Sequence, residues 1–262
     1  MNIILPGRVA GLLILVAILV LMEYLRRQAL AGKFRSIRKI AAIDAIEQVV
    51  GRAAEMGGKV HASIGDIFAQ LTQEYATQIF AALSITEYTA RLCAKMRVPI
   101  IATMMYGETL PLVDETIQQA YKAENRLEDF RKENVRFVAG TQLSYCAGVF
   151  EIIQKEKVVG QLLVGPWAYA AVLLGEFGRQ AGALQVGGTA RIVMIPGFVA
   201  VYDYFLIGEE LYAGAALVSG DKLKISTVSA QDYSRIASMG LLIVGALLTL
   251  TGSQLVQSFL KW

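Results

Sequence analysis

The sequence predicts an α/β domain with a doubly wound, mainly parallel sheet, flanked by one transmembrane helix at each end. Three observations carry this reading. Apolar residues make up 55% of the 262, with a mean hydropathy of +0.49. The excess sits in two charge-free runs near the termini, and between them short β-rich segments alternate with helical ones.

The first run, Val9 to Met22, holds fourteen residues without a charge, and apolar character extends to Leu25 around Glu23. The second, Ile236 to Val256, holds twenty-one. A bilayer core about 30 Å thick needs roughly 20 helical residues, with about 17 as the lower limit. The second run meets that length. The first meets it if Glu23 lies among the headgroups or if Ile3 to Pro6 also enter the membrane.

Charge placement orients the two helices. Arg26, Arg27, Lys33, Arg35, Arg38 and Lys39 follow the first run, and only Arg8 precedes it. Lys222, Lys224 and Arg235 precede the second, and only Lys261 follows. Positive flanks stay inside, so the chain is expected in the cell membrane as a two-helix protein, its main domain cytoplasmic and both termini outside. Ala29-Leu30-Ala31 imitates a signal-peptidase site, but a signal peptide carries its positive charge before the apolar region. The expected organisation is a transmembrane helix over 1–25, a basic juxtamembrane segment over 26–39, the α/β domain over 40–232 and a second transmembrane helix over 233–262. Gly245, Thr249 and Ser253 form a small-residue stripe suited to close helix contact in lipid.

Within the domain, Ile40 to Met56 reads as an amphipathic helix, with Ile43, Ile46, Val49, Val50 and Ala53 at helical spacing and Gly57-Gly58 as the stop. Strands are expected at Lys59–Ser63, Val98–Met104, Val135–Ala139, Val158–Val164, Ala183–Val186 and Val201–Ile207. Helices are expected at Tyr75–Lys95, Leu112–Glu124, Leu143–Lys155, Trp167–Gln180, Ala190–Val199 and Glu209–Leu217. Nearly continuous apolar runs such as Val98-Pro99-Ile100-Ile101-Ala102 suit parallel strands covered on both faces.

The stretches Ala54-Glu55-Met56-Gly57-Gly58-Lys59-Val60-His61, Val135-Arg136-Phe137-Val138-Ala139-Gly140-Thr141-Gln142 and Ile207-Gly208-Glu209-Glu210-Leu211-Tyr212-Ala213 resemble an uncharacterised prokaryotic membrane-protein family with a domain-of-unknown-function label. The resemblance covers most of the chain, from about residue 40 to the last helix, and implies the same two-helix architecture. It implies no activity.

Candidate site residues follow from the fold class, because a doubly wound sheet binds ligands beyond the carboxyl ends of its strands. Gly187-Gly188-Thr189, followed by Arg191, is the best phosphate-binding turn, although glycine and threonine also serve any tight turn and helix cap. No dinucleotide or P-loop fingerprint is present. His61, the single histidine, is expected at the end of the first strand, with Ser63 on the same strand face. Gln142 could bond a substrate or cap its own helix. Glu209 and Glu210 open a helix, where they complement its dipole or could act as base or cation ligand with Asp203 or Asp114. Tyr106, Trp167 and Tyr169 fall near the same edge. Cys93 and Cys146 read as buried free thiols of a reducing compartment.

No cofactor and no metal is called for. The basic segment reads as a topology determinant that contacts anionic lipid, and no basic stripe with interleaved aromatics points to nucleic acid. Two functions remain. One is a membrane-tethered structural or assembly module that forms a homo-oligomer or docks a protein partner. The other is a binder of a small molecule, a phosphate-bearing one included, or an enzyme using the carboxyl edge, for which the catalytic residues are unknown. The apolar helix Trp167–Gln180, needing cover on most sides, favours assembly.

Overall fold

A computed structural model of the chain describes residues 9–30 and 39–250. Two compact units appear: Arg38–Ser219, and a helical unit drawn from the two ends of the chain. Helix α1 (Val9–Leu30) belongs to the helical unit. The α/β unit opens with α2 (Ala41–Met56), whose Ile43, Ile46, Val49, Val50 and Ala53 are all buried. Gly57 ends it in the left-handed conformation, φ 58°, with its N–H returned to the last carbonyls.

The alternation then runs β1 (Lys59–Ser63), α3 (Ala76–Met96), β2 (Ile100–Met104), α4 (Leu110–Ala123), β3 (Val135–Phe137), α5 (Gln142–Lys155), β4 (Val158–Val164), α6 (Ala170–Gln180), β5 (Leu184–Thr189), α7 (Ile195–Val201), β6 (Tyr204–Ile207) and α8 (Glu210–Ser219). Six parallel strands form one sheet in the order β3-β2-β1-β4-β5-β6. This is the strand order of a Rossmann-type doubly wound sheet, and its direction reverses between β1 and β4. The strands are apolar because helices cover both faces. Helices α2, α3, α4 and α8 pack together over one, and α5, α6 and α7 over the other.

Three expectations are corrected. The strand read as Ala183–Val186 continues through Thr189, so Gly187, Gly188 and Thr189 are strand residues and not a loop. Packing explains the glycines: a Cβ on Gly187 would lie 2.6 Å from the Phe198 ring, and one on Gly188 would lie 3.1 Å from Leu206. The helix read as Ala190–Val199 is a 3-10 turn (Ile192–Met194) leading into α7. The apolar helix read as Trp167–Gln180 starts at Ala170, and apart from Tyr169 and Leu173, which stay exposed, its large apolar side chains are covered inside the domain. Trp167, Ala170, Ala171 and Leu174 share one core with Tyr145 and Val149 of α5 and Phe198 of α7.

The last helix, α9 (Lys222–Leu250), begins upstream of residue 233 and packs against α1. Among the described residues no helix is long and apolar enough to cross a membrane. The charge-free part of α1 is the fourteen residues Val9 to Met22. The charge-free run of α9 continues beyond residue 250, outside the described residues, as do Ser253, Lys33, Arg35 and Arg38. Glu23 does not stand alone: Arg26 and Arg27 reach it at 2.7 and 2.8 Å.

Candidate functional site

The strand order places any ligand crevice between β1 and β4, at the carboxyl edge, where residues 64–75 and 165–169 leave the sheet. Here that crevice is closed by backbone. Gly65 and Gly165 both take φ values that side chains rarely adopt, +134° and +132°. A Cβ on Gly165 would collide with the Ile64 carbonyl, and one on Gly65 would lie 2.8 Å from the Pro166 oxygen. The Asp66 N–H donates to that same Pro166 oxygen at 3.3 Å.

Asp66 is the centre of the closure and is wholly buried. Its carboxylate accepts the Ala168 N–H at 2.8 Å and the Gln142 Nε2 amide at 2.6 Å. Burial outweighs those bonds and pushes the carboxyl up to about 6, while the bonds and Arg191 pull the other way. Arg191 Nη1 donates to the Trp167 carbonyl at 2.6 Å, and its guanidinium lies 3.6 Å from the Phe68 ring centre and 5.2 Å from Tyr75. The buried Trp167 Nε1 has no hydrogen-bond partner among the described residues.

A second polar group lies deeper, between the sheet and α5–α6. His61 is in the interior of β1, paired in register with Gln161 and Ile101, and does not reach the edge as its sequence position suggested. Its Nε2 contacts Thr103 Oγ1 at 2.8 Å and its Nδ1 contacts Gln161 Nε2 at 3.3 Å. An amide N–H can only donate, so Nδ1 accepts and Nε2 carries the hydrogen. Thr103 then meets the Tyr145 hydroxyl at 2.9 Å, and Tyr145 meets Ser63 at 2.8 Å. Gly178 of α6 presses onto this layer, where any side chain would strike the Gln161 and Gln185 amides.

Burial lowers His61 to about 3, so it is neutral throughout the physiological range. A depressed histidine stabilises the fold while neutral, and that contribution is lost as pH falls from about 6.5 toward 3. Because it is the single histidine, its imidazole NMR signals should stay fixed between pH 5 and 8. A titration midpoint near 6.5 would contradict this burial.

A family model described as a domain of unknown function, DUF6754, matches residues 2–260. The chain belongs to this DUF6754 family. No curated protein and no solved structure matches it.

In this DUF6754 chain the other sequence-derived candidates separate. Gln142 joins the Asp66 cluster instead of capping its own helix. Thr189 ends β5 and accepts the Arg191 N–H at 3.2 Å, while Gly187 and Gly188 are packed against Phe198 and Leu206. Glu209 lies in the turn before α8, where its carbonyl accepts the Tyr212 and Ala213 N–H groups. Glu210 accepts the Ile207 N–H at 3.4 Å, as a residue opening a helix does. Asp203 accepts the Gln185 N–H, and Asp114 lies near Lys132. Among the described residues no group of three His, Cys, Asp or Glu could hold a metal ion. Sequence reasoning passed over Asp66, Gln161 and Gln185. For the glutamines the signal was present: Gln161 is the one polar residue of β4, and Gln185 is the one amide of β5.

Proposed function

We propose that this DUF6754 chain is a membrane-tethered assembly module, its α/β domain self-associating through the carboxyl edge of the sheet. One observation carries the reading: a filled switch point ringed by exposed apolar side chains. Leu143, Tyr169 and Ile192 follow directly after Gln142, Ala168 and Arg191, the residues bonded to Asp66 or Trp167. They are 69%, 51% and 80% exposed, and Val193 is 81% exposed. An apolar rim around a closed crevice suits a protein surface better than a small molecule.

Tethering is supported by helix surfaces. Leu12 to Val16 are five consecutive exposed apolar residues, and at about 100° per residue they encircle α1. Leu242, Ile243 and Val244 are likewise exposed on α9. A helix apolar all round requires a buried or lipid environment. With the twenty-one-residue charge-free run and the basic inner flanks, the reading is two spans, a cytoplasmic domain and both termini outside.

Purification should require detergent, and the particle mass should exceed that of one chain. Ile192→Asp with Val193→Asp should reduce the particle to a monomer without lowering its melting temperature. A wild-type monomer at every accessible concentration would sink the assembly reading. The second reading, a small-molecule site, draws on the buried Trp167 Nε1, which has no partner among the described residues, one residue before the Ala168 N–H that Asp66 accepts, and a co-purifying ligand contacting Trp167 and Asp66 would favour it.

A further inference from the structure

The opposite, amino edge of the sheet carries a cavity of about 290 Å³ where the end of α3 and the segment after α4 approach the starts of β2 and β3. Its lining combines two kinds of surface. Tyr121 and Phe130, with ring centres 5.9 Å apart, supply aromatic wall. Three arginines, Arg97, Arg126 and Arg131, stand among its lining residues against one acidic residue, Asp129, whose carboxylate lies 3.7 Å from Arg126. Among the described residues neither Arg97 nor Arg131 has a carboxylate in ion-pair range.

Arg97 also occupies an unusual backbone position. It caps α3 at φ 57°, the conformation that Gly57 takes at the end of α2. Glycine adopts this conformation freely, and a side chain there is strained. A basic residue does complement a helix C-terminus. That role leaves Arg131 and the surplus positive charge around an aromatic-walled cavity unexplained.

We propose that this pocket binds a small aromatic anion, a phosphate or carboxylate group attached to a single ring. Guanidiniums pair planar or tetrahedral oxyanions through charge-assisted hydrogen bonds, and the aromatic wall takes the ring. The volume lies at the lower end of ligand sites, about 300–1,000 Å³, which excludes a dinucleotide. The inference is independent of the assembly reading, because it concerns the other edge of the sheet.

Calorimetric titration of the full chain in detergent tests it, with phenyl phosphate, benzoate and inorganic phosphate as probes. A ring-bearing anion should bind, with inorganic phosphate weaker by roughly tenfold. Arg131→Gln and Arg97→Asn should each weaken that binding by roughly tenfold, asparagine being tolerated in the left-handed conformation. Melting temperatures measured alongside show that the variants fold. The proposal is overturned if neither ring-bearing probe binds at millimolar concentration. It is also overturned if inorganic phosphate binds equally well, or if the folded double variant binds like wild type.

Discussion

Gly165→Ala is expected to destabilise the α/β domain by about 3 kcal/mol or more. Two penalties act together. Position 165 has φ +132°, which alanine rarely adopts, and the added Cβ would meet the Ile64 carbonyl. Backbone is the obstacle, so no side-chain rotation relieves the clash. Either the β1 or the β4 loop must shift, and a shift breaks the hydrogen bond from the Asp66 N–H to Pro166 and those from Ala168 to the Asp66 carboxylate. Gly182→Ala is the control: its φ is also positive, at +73°, but nothing lies within 4 Å of its Cβ. Denaturant unfolding should separate the two, and equal losses would show that the loops do not interlock as described.

Asp66 should give the α/β domain an inverted pH response. Its carboxyl, ordinarily near 3.8, is pushed up to about 6 by burial. Between those values the folded chain holds a proton that the unfolded chain releases, so this contribution to stability falls as pH rises. The full loss, complete above pH 6, is about 3 kcal/mol. Glu156, held below the usual carboxylate range by Lys59 and then Arg136, acts in the opposite sense. The measurement is therefore a difference: unfolding free energies of wild type and Asp66→Asn at pH 4 and pH 7. Wild type should lose more stability than the variant over that interval. Parallel profiles would mean that Asp66 titrates normally and that its burial is relieved in solution.

Legibility in the sequence varied with the range of the interactions. Lys59–Ser63 and Val158–Val164 are read to the residue, the first because Gly57-Gly58 and Gly65 bracket it and the second because it is a valine-rich apolar run ending at Gly165-Pro166. The end of β5 was missed for the same reason in reverse. Gly187-Gly188 looks like a turn, and only the Phe198 ring and Leu206 show why a strand needs glycine there. His61 was visible as the single histidine, but its partners Thr103 and Gln161 lie 42 and 100 residues away. Nothing local in the sequence marks Asp66 as the residue whose carboxylate meets Gln142 and Ala168 across the switch point.

By itself, the sequence determined the alternation of strands and helices, the parallel class of the sheet and the two apolar runs at the ends. These are properties of short windows, where side-chain periodicity and turn residues act within a few positions. The tertiary structure decided the order β3-β2-β1-β4-β5-β6, the closure of the crevice by Gly65 and Gly165, and the burial of His61 and Asp66. Each of these depends on which distant segments pair. Burial then sets the charge of a histidine or an aspartate more strongly than any neighbour in the chain.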